Sequence, residues 1–304
     1  MARWIGGAVA TPVLVGVLTW MIQTSLTPAA APGAGPTARA SGPSPAVSPP
    51  VSSRVSPSPR ASASRSPAVL VDMVEPERVY GVQGDTWLLA DPASLSAAAL
   101  ADLNRRPMWS RSEAAWFRRQ GAVDPLRTYA KIVLRGNRDE RVRVTGIRAE
   151  PRCTRPLDGA LFFNPPGGDE PSIRIGFDLD SPDPAARLVA HGGWKGDYFR
   201  SKTISLDRGE DVVLEMVART DAHYCEFTLT VQTLTGGVQE TLPVDDRGRP
   251  FRVSALLLDD DGGKWGTRTS RYRSLYVGGS GALGAGYQDW RRQDPKAYER
   301  ASGG

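Results

Sequence analysis

Few side chains of this sequence are spaced for chemistry, and the most suggestive group surrounds a histidine. His223 stands two residues before Cys225, a spacing that can bring an imidazole and a thiolate together for nucleophilic chemistry. A zinc site at the same place needs further ligands, such as His191, the other histidine, and an acid. A histidine at a strand end beside a disulfide explains these residues more simply. We therefore expect no metal, no cofactor and no catalytic residue here.

Acidic residues offer a second possibility. Asp178 and Asp180, with Asp183 nearby, supply paired carboxyl groups, and the run Asp259–Asp261 supplies oxygen ligands of the kind that Ca²⁺ prefers. Alternate positions on an exposed strand edge explain the pair, and a polar turn explains the run. The run also lacks the ligand spacing and the late glutamate of an EF-hand. A hydrolase that uses acids such as Asp178 and Asp197 is the alternative function.

Two glycine-containing loops carry residues suited to a contact surface. The sequence contains no G-x-S-x-G elbow, no Walker loop, no dinucleotide-binding glycine pattern and no H-E-x-x-H. One loop follows Asn164, and the other contains Trp194, Tyr198 and Phe199. Because aromatic anchors often dominate binding, we predict a binding surface at these four residues. The alternative is that the aromatic rings pack back onto the body of the protein.

The stretch Trp4–Ile22 is apolar and uncharged, and it is just long enough to cross a bilayer core of roughly 30 Å. Arg3 precedes it, and positive charge favours the cytoplasmic side. Residues 1–26 are therefore predicted to form a cytoplasmic tip and one transmembrane helix, with the rest of the chain outside the cell membrane. The alternative is a signal peptide cleaved near Ala29–Ala31, although the apolar core of a signal peptide is usually shorter.

Residues 27–70 are rich in Pro, Ser and Ala. They have almost nothing apolar to bury, so they are predicted to form a disordered, extended linker. At about 3.1 Å per residue, its full reach is roughly 130 Å. Such a stalk would carry a domain away from the membrane.

The net charge of +5 comes entirely from the part of the chain before residue 68. Its only charged residues are five arginines, and the remaining 33 basic residues are balanced by 33 acidic ones. The body is therefore formally neutral, which argues against nucleic acid as a partner. We expect the partners to be the membrane, through residues 4–22, and an envelope protein or wall polymer.

The second half of the chain alternates apolar and polar residues, which is the period of a half-buried strand. About eight such segments, separated by Gly, Pro and Asp turns, predict an antiparallel β-sandwich over residues 129–277. Strands are expected at 129–134, 141–150, 173–179, 202–206, 211–220, 225–231, 238–244 and 251–257.

Two short helices are expected before these strands, at 94–104 and 112–120, because apolar residues recur there at helical spacing. They belong to a helical subregion, residues 71–128, that packs on the body. Residues 278–304 are expected to form a Gly-rich tail, in which the aromatic residues argue against simple disorder.

Cys153 and Cys225 are the two cysteines of the chain. An exported chain meets oxidising conditions, so we predict that they form a disulfide. Gly146 shifts the apolar phase of its strand, as a β-bulge would, and so places Cys153 on the apolar side. Cys225 lies on the apolar side of its own strand. We therefore expect both cysteines to face the core in a bridge between two sheets.

Five phrases characterise the body of the chain. They are KIVLRGNRDERVRVTGIRAEPRC, SIRIGFDLDSPDP, GDYFRSKTISLDRGED, HYCEFTLTV and DRGRPFRVSAL. With the N-terminal apolar segment and the Pro/Ser linker, they make the chain similar to a group of uncharacterised membrane-anchored exported proteins of actinomycetes such as streptomycetes. The resemblance covers most of the ectodomain and implies export and anchoring. It implies no activity, because none is known for that group.

These features predict a single-pass protein that displays a β-rich ectodomain outside the cell membrane. With a neutral body and no catalytic motif, the leading interpretation is a non-catalytic binding or interaction module at the cell envelope. The alternatives are an envelope hydrolase and a protein secreted after signal cleavage.

Overall fold

The computed structural model describes residues 66–80, 84–164, 174–190, 193–258, 267–279 and 288–302. The predicted transmembrane helix, the linker as far as residue 65, His191 and Asp259–Asp261 lie outside these ranges. None of the helices within the described ranges combines the length and the apolar character needed to cross a bilayer.

The described chain is mainly β, as the sequence predicts. The strands are β1 Val69–Glu77, β2 Trp87–Leu89, β3 Asp124–Pro125, β4 Arg127–Gly136, β5 Val142–Thr154, β6 Ala160–Phe163, β7 Arg174–Asp178, β8 Arg187–Ala190, β9 Gly193–Asp197, β10 Ile204–Leu206, β11 Asp211–Arg219, β12 Tyr224–Thr235, β13 Val238–Val244, β14 Phe251–Ser254, β15 Ser274–Gly279 and β16 Gln288–Gln293. The helices are α1 Ala97–Asn104, α2 Arg111–Arg119, α3 Tyr198–Ser201 and α4 Pro295–Ala301, with a 3₁₀ turn at Thr269–Arg271.

The strands form three sheets. The first has the order β1-β4-β11-β7-β8-β9, and the second has the order β10-β5-β12-β14-β3 with β13 also paired to β12. The third is β16-β15-β6-β2. The pairs β11·β7, β14·β3 and β15·β6 are parallel, so the prediction of purely antiparallel pairing was wrong. Local alternation fixes which face a side chain occupies but not the direction of the neighbouring strand.

The main core lies between the inner faces of the first two sheets. Ile132 and Met216 come from the first sheet, whereas Phe227 and Val231 come from the second, and all four are buried in one apolar cluster. β12 shows the cause clearly, because alternate residues along this strand are buried. A strand with every second side chain buried presents one apolar face, and here that face packs against the apolar face of the opposite sheet.

The bulge predicted at Gly146 is present. Gln232 of β12 pairs with Gly146, but the next residue, Thr233, pairs with Val144. Thr145 is therefore the extra residue in β5, and the inward phase changes there.

The disulfide joins Cys153 to Cys225, as predicted, but the expected geometry was wrong. The two residues are direct partners on the neighbouring strands β5 and β12, with Cα atoms 4.1 Å apart. The bridge thus lies within the second sheet, not between two sheets. Cys225 is buried, whereas Cys153 is exposed at the end of β5, where the strand extends past the main core.

A second apolar cluster, here called the tryptophan cluster, fills the space between the third sheet and the two predicted helices. Its buried residues are Trp87, Leu103, Trp116, Phe117, Ala122, Ala160, Phe162, Tyr276 and Trp290. The rings of Phe162 and Tyr276 stack with centroids 4.6 Å apart, and Phe117 stacks on Trp87 at 4.9 Å. Trp290, in the predicted tail, is therefore part of a packed core.

The described chain enters the fold through a group of hydrogen bonds that touches both main sheets. The backbone N–H of Ala68 donates to Glu240 on β13 over 3.1 Å, and its carbonyl accepts from the N–H of Asn137 over 2.9 Å. Arg138 donates to the same Glu240 carboxylate over 2.9 Å. β1 begins at the next residue and pairs with β4. This strand was not predicted.

Replacing both cysteines with alanine is expected to lower the free energy of unfolding by up to about 4 kcal/mol. The two cysteines are 72 residues apart, and closing a loop of that length removes much conformational entropy from the unfolded chain. Chemical denaturation of the full chain measures the loss. A reductant should destabilise the wild type by the same amount and leave the double variant unchanged. A double variant as stable as the oxidised wild type would contradict this prediction.

Candidate functional site

A buried cation lies against Trp87 in the tryptophan cluster. The guanidinium carbon of Arg78 is 3.7 Å from the centroid of the Trp87 ring. Its Nη1 donates to Asp124 Oδ1 over 2.6 Å, and its Nη2 donates to the carbonyl oxygen of Thr86 over 2.7 Å. The Arg78 side chain is 4% exposed and that of Asp124 is fully buried. Burial lowers the pKa of Arg78, and the negative charge of Asp124 opposes that shift.

Two carboxyl groups, Asp85 and Glu113, lie side by side in the same region, and we call them the carboxyl pair. Trp87 Nε1 donates to Asp85 Oδ1 over 3.0 Å, and Trp290 Nε1 donates to Glu113 Oε1 over 2.8 Å. The backbone N–H of Trp109 is 2.9 Å from Glu113 Oε2 and 3.3 Å from Asp85 Oδ2, and donates to both. The two carboxyl groups thus converge on one N–H, where a proton on one of them would relieve the repulsion between two neighbouring negative charges.

The environment keeps that proton on the pair. Burial, followed by the hydrogen bond and the negative charge of Asp85, raises the pKa of Glu113 to about 9. The N–H groups of Trp290 and Trp109 oppose the shift because they stabilise the ionised form. Glu113 is therefore protonated at neutral pH.

The charges of the cluster then cancel. The cluster contains two guanidinium groups, of Arg78 and Arg118. It also contains three carboxyl groups, those of Asp85, Glu113 and Asp124. With one proton retained, two positive charges face two negative charges. Such balance is what allows ionised groups to persist in a buried site.

The start of α2 places Glu113 in the pair. Ser110 is the N-cap, and its Oγ accepts from the N–H of Glu113 over 3.2 Å. The Glu113 side chain reaches back to the N–H of Trp109, one residue before the cap. This is a variant of the capping box, in which the glutamate at the third helical position binds an N–H near the cap.

Trp109 connects the buried carboxyl pair to the protein surface. Its φ is +63°, a left-handed conformation that non-glycine residues rarely adopt, and the residue is 43% exposed. The Tyr80 ring lies beside it, with ring centroids 6.4 Å apart. The Tyr80 hydroxyl donates to the carbonyl of Ser110 over 3.3 Å, so its ring is held in place. We use the name Trp109 surface for the exposed region formed by Tyr80, Trp109 and Arg111.

Asn164, one of the four predicted contact residues, lies in the interior instead. It is fully buried, and its backbone carbonyl oxygen accepts from the N–H of Asp85 and from the hydroxyl of Thr86, each over 3.0 Å. The prediction of Asn164 as a surface contact was therefore wrong. Proline and glycine after Asn164 suggested an exposed loop, but its own backbone supports the segment that holds the carboxyl pair.

The other three predicted residues are half-buried in two different places. Trp194 packs against Val189 on the outer face of the first sheet, where its ring lies over Gly176. Tyr198 and Phe199 pack against the main core, and their rings meet edge to face with centroids 5.1 Å apart. The three rings thus pack onto the body, which was the stated alternative. A binding role for their exposed edges stays a prediction.

His223 is oriented by an acid and does not approach a thiolate. Its Nδ1 lies 2.8 Å from Asp180 Oδ1, and the same carboxylate accepts from the hydroxyl of Thr220 and the N–H of Asp221. Cys225 is in the disulfide, so the imidazole and thiolate pairing considered from the sequence does not form. These contacts close the turn between β11 and β12.

Two further acids considered from the sequence, Asp178 and Asp197, have structural partners. Asp178 Oδ2 is 3.8 Å from Arg187 Nη1, and Asp197 caps α3 by accepting from the N–H of Phe199 over 2.8 Å. Within the described ranges, no group of three or more His, Cys, Asp or Glu side chains is arranged to hold a metal.

Comparison with known proteins leaves the function to be argued from the chain itself. No protein-family model matches this sequence, and no curated protein is significantly similar to it. The resemblance to membrane-anchored actinomycete proteins therefore stays an expectation.

Sequence reasoning missed the carboxyl pair. One readable signal was present, since Ser110 and Glu113 have the S-x-x-E spacing of a capping box. The residues that surround the pair come from segments far apart in the chain, such as Arg78 and Trp290, and no local pattern links them to it.

Replacing Arg78 with methionine is expected to cost about 3–5 kcal/mol of folding free energy, because Asp124 loses its main partner while fully buried. Arg118→Met is the matched control: it removes a cation from the same carboxylate, at 3.4 Å, but its side chain is 34% exposed. The control should cost about 1 kcal/mol or less. Denaturant titration compares the two, and equal losses would refute the assignment of Arg78 as the main partner.

Gly176→Ala is expected to displace Trp194, since a Cβ there would overlap the Val189 side chain and the Trp194 ring. The cost should be about 1–3 kcal/mol, and the Trp194 indole should become more accessible to a fluorescence quencher. Gly146→Ala is the control, because its Cβ would meet mainly the mobile end of Gln232. Unchanged quenching in Gly176→Ala would show that Trp194 does not pack there.

Proposed function

We propose that this chain is an extracytoplasmic binding module at the cell envelope, with the Trp109 surface as its contact site. In this proposal the N-terminal apolar segment anchors the protein in the membrane, and the first two sheets form a β-sandwich beside the third sheet and the helices that hold the site. The shared main core of the two sheets supports the sandwich. The disulfide supports export, because such bonds persist in oxidising compartments.

The conformation of Trp109 is the observation that carries the proposal. A left-handed backbone at a bulky residue costs about 1–3 kcal/mol and persists only where surrounding contacts impose it. Here two buried carboxyl oxygens hold the N–H, yet the residue as a whole is 43% exposed. Strain combined with exposure of a large aromatic side chain is characteristic of sites that contact a ligand.

The neighbours of Trp109 suit recognition. Tyr80 adds a second ring that its hydroxyl contact immobilises, so little side-chain freedom is lost on binding. Arg111 is 98% exposed, with its Nη2 3.9 Å from Glu75 Oε1. Fixed aromatic rings beside an exposed guanidinium provide both an anchor and a charged donor at the rim, as protein contact surfaces commonly do.

The closed state of the carboxyl pair favours binding over hydrolysis. Two adjacent acids with one proton resemble the acid and base of a hydrolase. Asp85 and Glu113, however, are almost completely buried, and each has an oxygen that already accepts an indole N–H. A substrate would have to displace Trp109 to reach them. The pair is better suited to holding Trp109 than to contacting a substrate.

Crosslinking on intact cells tests the proposal. A photoreactive p-benzoylphenylalanine in place of Arg111 should capture an envelope component, and the additional substitution Trp109→Ala should lower that capture at least about fivefold. The same photoreactive group in place of Val213, which is exposed on β11, is the control and should capture little. Equal capture at the two positions, or capture unaffected by Trp109→Ala, would contradict the proposal.

A further inference from the structure

We propose that the Trp109 surface binds an acidic polysaccharide: the Trp109 indole stacks on a sugar ring, and the arginines on either side of it bind the acid groups of the chain. This inference rests on the proposed function and names the chemical class of its ligand. The distribution of charge over the fold supports it, as do the side chains next to Trp109.

The formally neutral body separates its charges between two parts. The third sheet, with the helices packed on it, is here called the third-sheet region and comprises residues 84–123, 155–163, 267–279 and 288–302. It contains 13 basic and 8 acidic residues, so the rest of the body has five more acidic than basic residues. Two of those eight acids, Asp85 and Glu113, are buried. A polyanion is therefore attracted to the third-sheet region.

The loop that joins α1 to α2 concentrates this positive charge around Trp109. Residues 105–111 have the sequence RRPMWSR, with three arginines and no acid. Arg105 and Arg106 share a single carboxylate, that of Asp102, over 2.8 and 3.0 Å. One of these two positive charges is therefore left without a negative partner in this contact, four residues or fewer from Trp109.

Arg111, on the other side of Trp109, is available to a ligand. Its side chain is 98% exposed, and its Nη2 is 3.9 Å from Glu75 Oε1, which is too long for a hydrogen bond. Because such an exposed pair contributes little energy, the guanidinium can exchange Glu75 for another carboxylate at little cost. A guanidinium binds a carboxylate through two parallel hydrogen bonds. Arginines on both sides of one indole suit a chain with repeated acid groups.

The aromatic side chains favour a saccharide over a lipid surface. Between Gly84 and Gln120, Trp109 is the one large apolar side chain that is exposed, whereas insertion into a bilayer requires a continuous apolar face. A sugar ring has a face of C–H groups that stacks on an indole while its polar groups stay at the rim. The Tyr80 ring, 6.4 Å from that of Trp109 and tilted by 36°, can contact the next sugar unit.

The test measures binding of the full chain to fluorescein-labelled oligogalacturonate, a polysaccharide with one carboxylate per sugar, by fluorescence anisotropy. The Kd should rise roughly tenfold between about 50 and about 200 mM NaCl, because each contact with an arginine releases condensed counterions. A neutral dextran chain of the same length should bind at least about tenfold more weakly. Binding that does not depend on salt, or equal binding of the neutral chain, would overturn the proposal.

Two variants separate the ionic contact from the stacking contact. Arg111→Gln should weaken binding at least about threefold and reduce its salt dependence, because an ionic contact is lost. Trp109→Ala should weaken binding at least about fivefold and leave the salt dependence unchanged, because stacking releases no ions.

Arg200→Gln is the matched control for Arg111→Gln. The Arg200 side chain is 88% exposed, and its Nε is 3.9 Å from Asp197 Oδ2, so its exposure and its ion pair resemble those of Arg111. Arg200 lies on α3, which follows β9 at the edge of the first sheet opposite to β1. This variant should bind as the wild type does. An Arg111→Gln variant that binds as tightly as Arg200→Gln would refute the role of Arg111.

Competition distinguishes the saccharide from other polyanions. Vesicles of phosphatidylglycerol and an oligothymidylate should each need at least about tenfold more negative charge than unlabelled oligogalacturonate to displace the labelled chain. Equal displacement by either competitor would show that the arginines attract any polyanion, and it would overturn the assignment to a saccharide.

Crosslinking on cells separates this inference from the function on which it rests. Capture of an envelope component through position 111, without binding of oligogalacturonate by the purified chain, would overturn the ligand class but leave the binding function. Binding of oligogalacturonate that requires Trp109 and Arg111, without any capture on cells, would support the ligand chemistry and reject the role at the cell envelope.

Discussion

The burial of Arg78 against Asp124 is the interaction on which the tryptophan cluster depends. A guanidinium taken out of water needs a carboxylate, further acceptors and a polarisable surface, and here Asp124, the Thr86 carbonyl and the Trp87 ring supply them. These partners come from different segments, so satisfying one charge brings β1, β2 and β3 together. The carboxyl pair then completes the neutral balance by keeping one proton.

That balance links the interior to the surface. The carboxyl pair holds the N–H of Trp109, and Trp109 presents its indole beside Tyr80. The Ser110 cap holds the backbone N–H of Glu113 at the start of the helix, and the Trp290 indole, remote in the chain, donates to the side chain of the same residue. The surroundings of Trp109 explain its left-handed backbone, because the groups that hold its N–H are themselves fixed by packing.

The sequence was sufficient to predict the elements that depend on local pattern. The predicted strands 211–220 and 238–244 match β11 and β13 closely, and alternation located the first part of β12. The helices begin within about three residues of the predicted positions. β1 was missed because its own bulge, between Val71 and Met73, breaks the alternation that identifies a strand. The cysteine pair was predicted, but not its place within one sheet, because alternation gives the face of a residue and not its partner strand.

The candidate site was largely hidden from the sequence, for a related reason. Its residues are ordinary in type, and what distinguishes Asp85 from any other aspartate is burial beside Glu113, which depends on contacts between distant segments. The aromatic loop at Trp194 appeared more suited to binding, because glycines surround it. Gly176 on β7, one strand beyond β8, in fact provides the space into which the Trp194 ring packs.

The way in which the chain enters the fold has a mechanical consequence. Ala68 is bonded to Glu240 of the second sheet and to Asn137 at the end of β4 in the first. If the preceding segment is a tether, tension along it would reach both sheets at once. It would have to break this junction before it could peel β1 from β4 one bond at a time. A domain pulled from this point would therefore resist force as a sheared junction, and its load limit would be set by the few polar contacts around Glu240.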